Sequence, residues 1–212
     1  MGESGVFGTP LYTSASSLFY FIVFGVFFSQ CGGRQLLIDV GMKFSNKSSG
    51  GPAKAAVISS GLMGMISGSA AANVSTTGVM TIPMMKKIGY KPHEAGAIEA
   101  VASTGGQIMP PIMGIGAFIM AEMLGVSYFS VAKSAILPAV AYYSAVFVLV
   151  TMLARKRTVK KVDGETETVV GQKILPRLYL LLPAILLVVW IIRGNSLMRS
   201  GMVGILAAWP AT

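Results

Sequence analysis

Two runs of small polar residues interrupt apolar stretches of this chain, and their side chains define the chemistry it can do. The first reads Ser67-Gly68-Ser69-Ala70-Ala71-Ala72-Asn73-Val74-Ser75-Thr76-Thr77-Gly78. The second reads Ala102-Ser103-Thr104-Gly105-Gly106-Gln107-Ile108-Met109-Pro110-Pro111. Neutral hydroxyl, amide and unwound backbone oxygens can together replace the hydration shell of a sodium ion. Gly105 and Gly106 allow the backbone to bend without a side-chain clash. Pro110 and Pro111 suit the start of a new helix, whose positive amide end would face the break and attract an anionic group. A plainer reading stays open beside this one. Gly68, Ala70, Ala71 and Gly78 also permit close helix packing, and Thr76 and Thr77 can bond back to their own preceding turn.

Three acids lie on the second stretch. Glu94 neighbours His93 and Lys91 and reads as a solvated interfacial residue, and Glu122 sits near the far end. Glu99 is about one and a half turns deeper and is the candidate for coupling or gating, because an acid within a membrane is a functional hypothesis by default. Met63, Met65, Met109 and Met113 crowd the breaks as adaptable packing.

Other chemistries are excluded. The chain has one cysteine, Cys31, and one histidine, His93. That forbids a disulfide framework, a thiolate or imidazole metal centre and a histidine-based triad, so no enzyme and no cofactor are expected. The net charge of +9 is not a nucleic-acid signature. Seven of the 17 Lys and Arg fall between residues 155 and 177, and most others flank apolar runs. That is how charge which sets membrane topology is distributed.

The elements that must position these groups follow from composition. With 53% hydrophobic and 12% charged residues, the chain reads as an all-α, polytopic membrane protein. Residues 11–31 form an apolar run of spanning length, followed by Arg34, Lys43, Lys47 and Lys54, which place that end in the cytoplasm. Residues 51–66 and 70–85 are two short arms. At 1.5 Å per residue each covers about 24 Å, short of a hydrocarbon core of roughly 30 Å. Lys54 flanks one arm and Lys86, Lys87 and Lys91 flank the other, so residues 51–86 read as a re-entrant hairpin opening to the cytoplasm. Its tip is Ser67-Gly68-Ser69. Residues 92–126 form one discontinuous crossing, its second helix running from about Ile112 to Leu124. Residues 133–153 cross back to the basic cluster Arg155-Lys156-Arg157. Residues 1–154 thus make a unit, 155–173 a polar cytoplasmic loop, and 174–212 further membrane helices. The last of these begins at Ser196 and stops at Thr212 without an anchor, as in a truncated chain.

At these residues the chain resembles the large membrane subunit of tripartite ATP-independent periplasmic (TRAP) transporters, and specifically fused permeases that work with TAXI-type binding proteins. The matching text is Gly50-Gly51-Pro52-Ala53-Lys54-Ala55-Ala56, Ile66-Ser67-Gly68-Ser69-Ala70 through Asn73, Thr76-Thr77-Gly78 and Ile82-Pro83-Met84-Met85-Lys86-Lys87. It continues through residues 100–111 and Ala117-Phe118-Ile119-Met120-Ala121-Glu122. The resemblance implies a sodium-driven, elevator-type importer of organic anions such as carboxylates, in a bacterial or archaeal inner membrane. A periplasmic TAXI-type protein would deliver substrate, and a small membrane subunit or its fused equivalent would complete the assembly. Sodium would be the coupling ion. Ser67, Gly68, Ser69, Asn73, Ser103, Thr104 and Gly105 carry over as sodium or substrate contacts, with Gly106, Pro110 and Pro111 shaping the break. The family has two inverted repeats, each with a hairpin and a broken helix, and the text here covers one. A second repeat is therefore an expected partner, alongside the lipid bilayer. The competing reading is a non-transporting membrane scaffold or channel component.

Overall fold

The computed structural model describes residues 19–45, 50–156 and 175–208, with Gly8, Leu11, Tyr12 and Ala15 as short pieces. Among the described residues the regular elements are all helical. They are α1 (Phe19–Gln30), α2 (Gly33–Ser45), α3 (Gly51–Ser67), α4 (Ala70–Lys87), α5 (Pro92–Gly105), α6 (Ile115–Leu124) and α7 (Tyr128–Lys156). A 3-10 helix at Leu175–Leu181 leads into α8 (Leu182–Ile192), and α9 (Leu197–Ala208) follows. The polar loop expected at 155–173 and the final residues after Ala208 lie almost wholly outside the described residues.

α3 is the central helix. Thirteen of its 17 residues are buried, most of them Gly, Ala or Ser. Small side chains let five neighbours, α1, α2, α4, α5 and α7, approach it closely. Lys54 shares this burial and lies with Nζ 5.6 Å from the centre of the Phe147 ring, rather than standing as a simple flank. α4 and α5 also pack on each other, so α3, α4 and α5 form a three-helix unit. Two apolar cores bracket it. One gathers Phe21, Phe24, Phe118, Tyr128 and Leu187 beside Met63 and Ile66. The other joins Ala53, Val57 and Met85 to Ala95, Ile98, Val146 and Val150.

Within the apolar run at 11–31 the described helix α1 ends at Gln30, and α2 leaves it at 71°. Residues 33–45 are helical although they carry charges, because Leu36, Leu37, Ile38 and Met42 bury against the neighbouring helices while Lys43 faces outward. The helix expected at 133–153 is longer, 29 residues, or about 43 Å at the α-helical rise. It is the one described helix that is by itself long and apolar enough to cross a membrane; the bent α1–α2 pair passes the same test jointly. Leu137, Val148, Leu149 and Met152 stand exposed along it.

Candidate functional site

The turn between α3 and α4 lies against the break between α5 and α6. α3 ends as Gly68 adopts a left-handed conformation (φ 61°), with its N–H bonded to the Gly64 carbonyl. A side chain there would be strained, and a Cβ would also come within 2.3 Å of the Met113 carbonyl oxygen. Ser69 then caps α4, its Oγ accepting from the Ala72 N–H at 3.3 Å. On the other side α5 stops at Gly105. The N–H groups of Gly106, Gln107, Ile108 and Met109 each bond to the carbonyl three residues back. The two breaks are tied directly by the Ile112 N–H, which donates to the Met65 carbonyl at 3.3 Å. One turn earlier Gly64 crosses Gly106, and a Cβ on Gly64 would fall 2.4 Å from the Gly106 Cα.

α6 begins at Ile115 behind Gly114, not at about Ile112. Pro110 and Pro111 therefore lie in the turn before it, joined by a cis peptide bond, and do not open the helix. Met113 holds a positive φ of 52°, and the Gly114 N–H closes the turn onto the Gln107 carbonyl at 2.7 Å. These bonds occupy the amides that a helix start at Ile112 would have turned toward the break.

Backbone freed by the break is satisfied from α7. Tyr128 donates to the carbonyls of Pro111 (2.9 Å) and Ile112. Tyr142 donates to the Val101 carbonyl at 2.8 Å and Tyr143 to the Ala102 carbonyl at 2.9 Å. Gly105 is flat against both rings, where a Cβ would reach within 2.5 Å of Tyr142. This is the internal satisfaction that a non-aqueous surrounding demands. Outside the helices, burial and then the charge of Glu94 push the Tyr90 hydroxyl up to about 12.

The sequence-derived residues separate into groups. Thr104 and Ser75 are exposed, Thr76 is half-buried, and all three bond back to carbonyls of their own helices. Ser67 and Asn73 behave differently. Ser67 Oγ is buried without a hydrogen-bond partner. Asn73 is fully buried and donates from Nδ2 to the Ser60 carbonyl at 2.7 Å. Only an N–H can pair with that carbonyl, so Oδ1 is the other end of the amide, and it too is buried without a partner. Ser103 is buried and points at Glu99.

Glu99, at 0% exposure, is the hub of the unit. Its Oε1 accepts from Ser60 Oγ at 2.7 Å, from Ser103 Oγ at 3.3 Å and from Thr77 Oγ1. Its Oε2 accepts from Thr81 Oγ1 at 2.5 Å. One carboxylate thus binds α3, α4 and its own helix. Ser60 and Thr81 were not read from the sequence as site residues, nor were Tyr128, Tyr142 and Tyr143. Thr77 and Thr81, like Glu99 and Ser103, are four apart on one helix face, which is the signal that would have found them. Glu94 is half-buried and accepts from the Lys91 N–H at 3.0 Å, capping α5.

Beside the tip opens a cavity of about 910 Å³. Ser67, Gly68 and Ser69 line one side, Gln107 and Gly114 another, and Ser134 of α7 a third. The family described as "Tripartite ATP-independent periplasmic transporter, DctM component" matches residues 6–209.

The chain belongs to the DctM family.

That family is one of membrane transporter components and not of enzymes. A Haemophilus influenzae protein with the provisional name TRAP transporter large permease is 31% identical over 121 residues, 57% of this chain and 28% of that protein. The uncharacterized protein y4mL of Sinorhizobium fredii is 34% identical over 108 residues, 51% of this chain and 25% of that protein. The chain thus spans about a quarter of the length of the curated relatives it matches.

Proposed function

We propose that this DctM-family chain is one half of the transport machinery of a sodium-driven importer of organic anions. In this reading α3 and α4 are a re-entrant hairpin, and α5 and α6 are a discontinuous crossing in the cytoplasmic membrane. A second, inverted repeat supplies the facing half, as in elevator-type carriers. A periplasmic TAXI-type binding protein hands over the substrate, and a small membrane subunit or its fused equivalent completes the assembly.

The observation that carries the reading is the pair of buried, unpartnered oxygens, Ser67 Oγ and Asn73 Oδ1, on the hairpin that meets the helix break. A buried acceptor left without a donor is unfavourable by about 1–3 kcal/mol unless something binds it. A sodium ion needs several neutral oxygens, and these residues fit that need: two vacant side-chain oxygens with unwound backbone nearby. Ile115 and Gly116, in the first turn of α6, border the 910 Å³ cavity, and a helix start beside it suits an organic anion. Of the residues carried over, Ser67 and Asn73 are the ion contacts. Gly68 and Gly105 shape the approach, Ser69 caps, Ser103 supports Glu99, and Thr104 faces away.

Sodium-dependent uptake by the assembled permease with its binding protein tests this. Asn73→Ala raises the half-saturating sodium concentration by about tenfold, the equivalent of losing one ligand. An unchanged sodium dependence removes Asn73 from the ion site.

A further inference from the structure

The oxygens proposed for the ion are neutral, whereas α5 brings one deeply buried acid, Glu99, against neutral donors of the hairpin. Thr77 and Thr81 each have a single hydroxyl proton and the same two kinds of acceptor in reach, with Ser60 Oγ a third for Thr77 at 3.1 Å. One is the carbonyl four residues back, Asn73 O at 2.8 Å and Thr77 O at 3.1 Å. The other is Glu99. The helix alone would satisfy both hydroxyls. Instead they converge on Glu99 with Ser60 and Ser103, an arrangement of four hydroxyls that suits a carboxylate, which only accepts. Ser60 joins this acid to the ion site. Its hydroxyl binds Glu99, and its backbone carbonyl holds Asn73 Nδ2, so Asn73 Oδ1 faces away from Ser60.

We propose that Glu99 is the counter-charge of the cation site, a carboxylate that does not ligate the ion but raises its affinity at Asn73 through space and through Ser60. The proposal rests on the reading of Asn73 as an ion ligand. Neutral oxygens replace hydration but leave a bare positive charge in a low-dielectric interior, and an anion linked to Asn73 through the single residue Ser60 offsets it. The ion-loaded unit is then neutral at this point, and the empty unit carries one negative charge.

The test uses the assembled permease in proteoliposomes, reading half-saturating sodium and maximal rate separately. Glu99→Gln keeps the shape and removes the charge. It raises half-saturating sodium by about tenfold, the low end of the effect of a neighbouring opposite charge, a shift read apart from any change in maximal rate. Adding Ser60→Asp to that variant sets a carboxylate beside the lost one, since Ser60 Oγ lies 2.7 Å from Glu99 Oε1, and restores sodium affinity. Should Glu99→Gln not accumulate, the double variant carries the test: near-native half-saturation supports the proposal and a tenfold rise overturns it. A Glu99→Gln protein with native sodium dependence, beside an Asn73→Ala protein with a raised one, overturns the counter-charge and leaves the ion ligand standing. Native dependence in both overturns the two readings together.

Discussion

Ser69 illustrates how a residue with the right chemistry can be spoken for. Its hydroxyl oxygen is already used, accepting from the Ala72 N–H at the start of α4. Ser69→Ala therefore lowers stability by about 1 kcal/mol, the ordinary loss for a helix N-cap, and Ser69→Asp or Ser69→Asn recovers it. Thermal unfolding in detergent reads this directly, and an alanine variant as stable as the parent would show that the cap contributes nothing. Residue types alone identified Ser67, Asn73 and Glu99 as polar groups in apolar surroundings. What they could not show is direction. Thr104 and Ser103 are adjacent and chemically alike, yet one is exposed and the other buried against Glu99. A helix turns 100° per residue, so neighbours in sequence look at different worlds.

At the scale of elements, the hairpin turn at Gly68 and Ser69 was legible, because Gly and Ser between two apolar arms leave few alternatives. The start of α6 was not. Pro110-Pro111 matched the preference for proline at a helix start, but the amides of Ile112 and Gly114 are drawn to Met65 and Gln107 instead. Those are tertiary and turn bonds, invisible to local propensity. The crossing of Gly64 over Gly106 sets how closely hairpin and break can meet. Gly64→Ala places a methyl group against backbone that cannot swing away. It costs about 1–3 kcal/mol as an overpacked contact and reduces uptake along with stability. Melting temperature and initial uptake rate check it; native values for both would mean the crossing has slack.

For the whole molecule, composition was sufficient to read an all-helical membrane protein, and family membership agrees. Composition could not reveal the dependence of the broken helix on tyrosines from α7, since Tyr142 and Tyr143 lie about 40 residues further along the chain. On the proposed reading, substrate sits between two such halves. This chain, whose matched part covers about a quarter of its relatives, therefore inserts when expressed alone but does not catalyse sodium-driven uptake. Reconstitution with a sodium gradient and a cognate binding protein measures this. Robust sodium-dependent accumulation by the isolated chain would refute the two-half arrangement. The burial of α3 on nearly every side also bears on how the protein is made. A segment with so little outward-facing surface, carrying Lys54, Ser59 and Ser60 in its interior, gains little by partitioning into lipid on its own. Its neighbours α4, α5 and α7 all emerge from the ribosome after it. The insertion machinery must therefore hold α3 in waiting until those later helices arrive to enclose it.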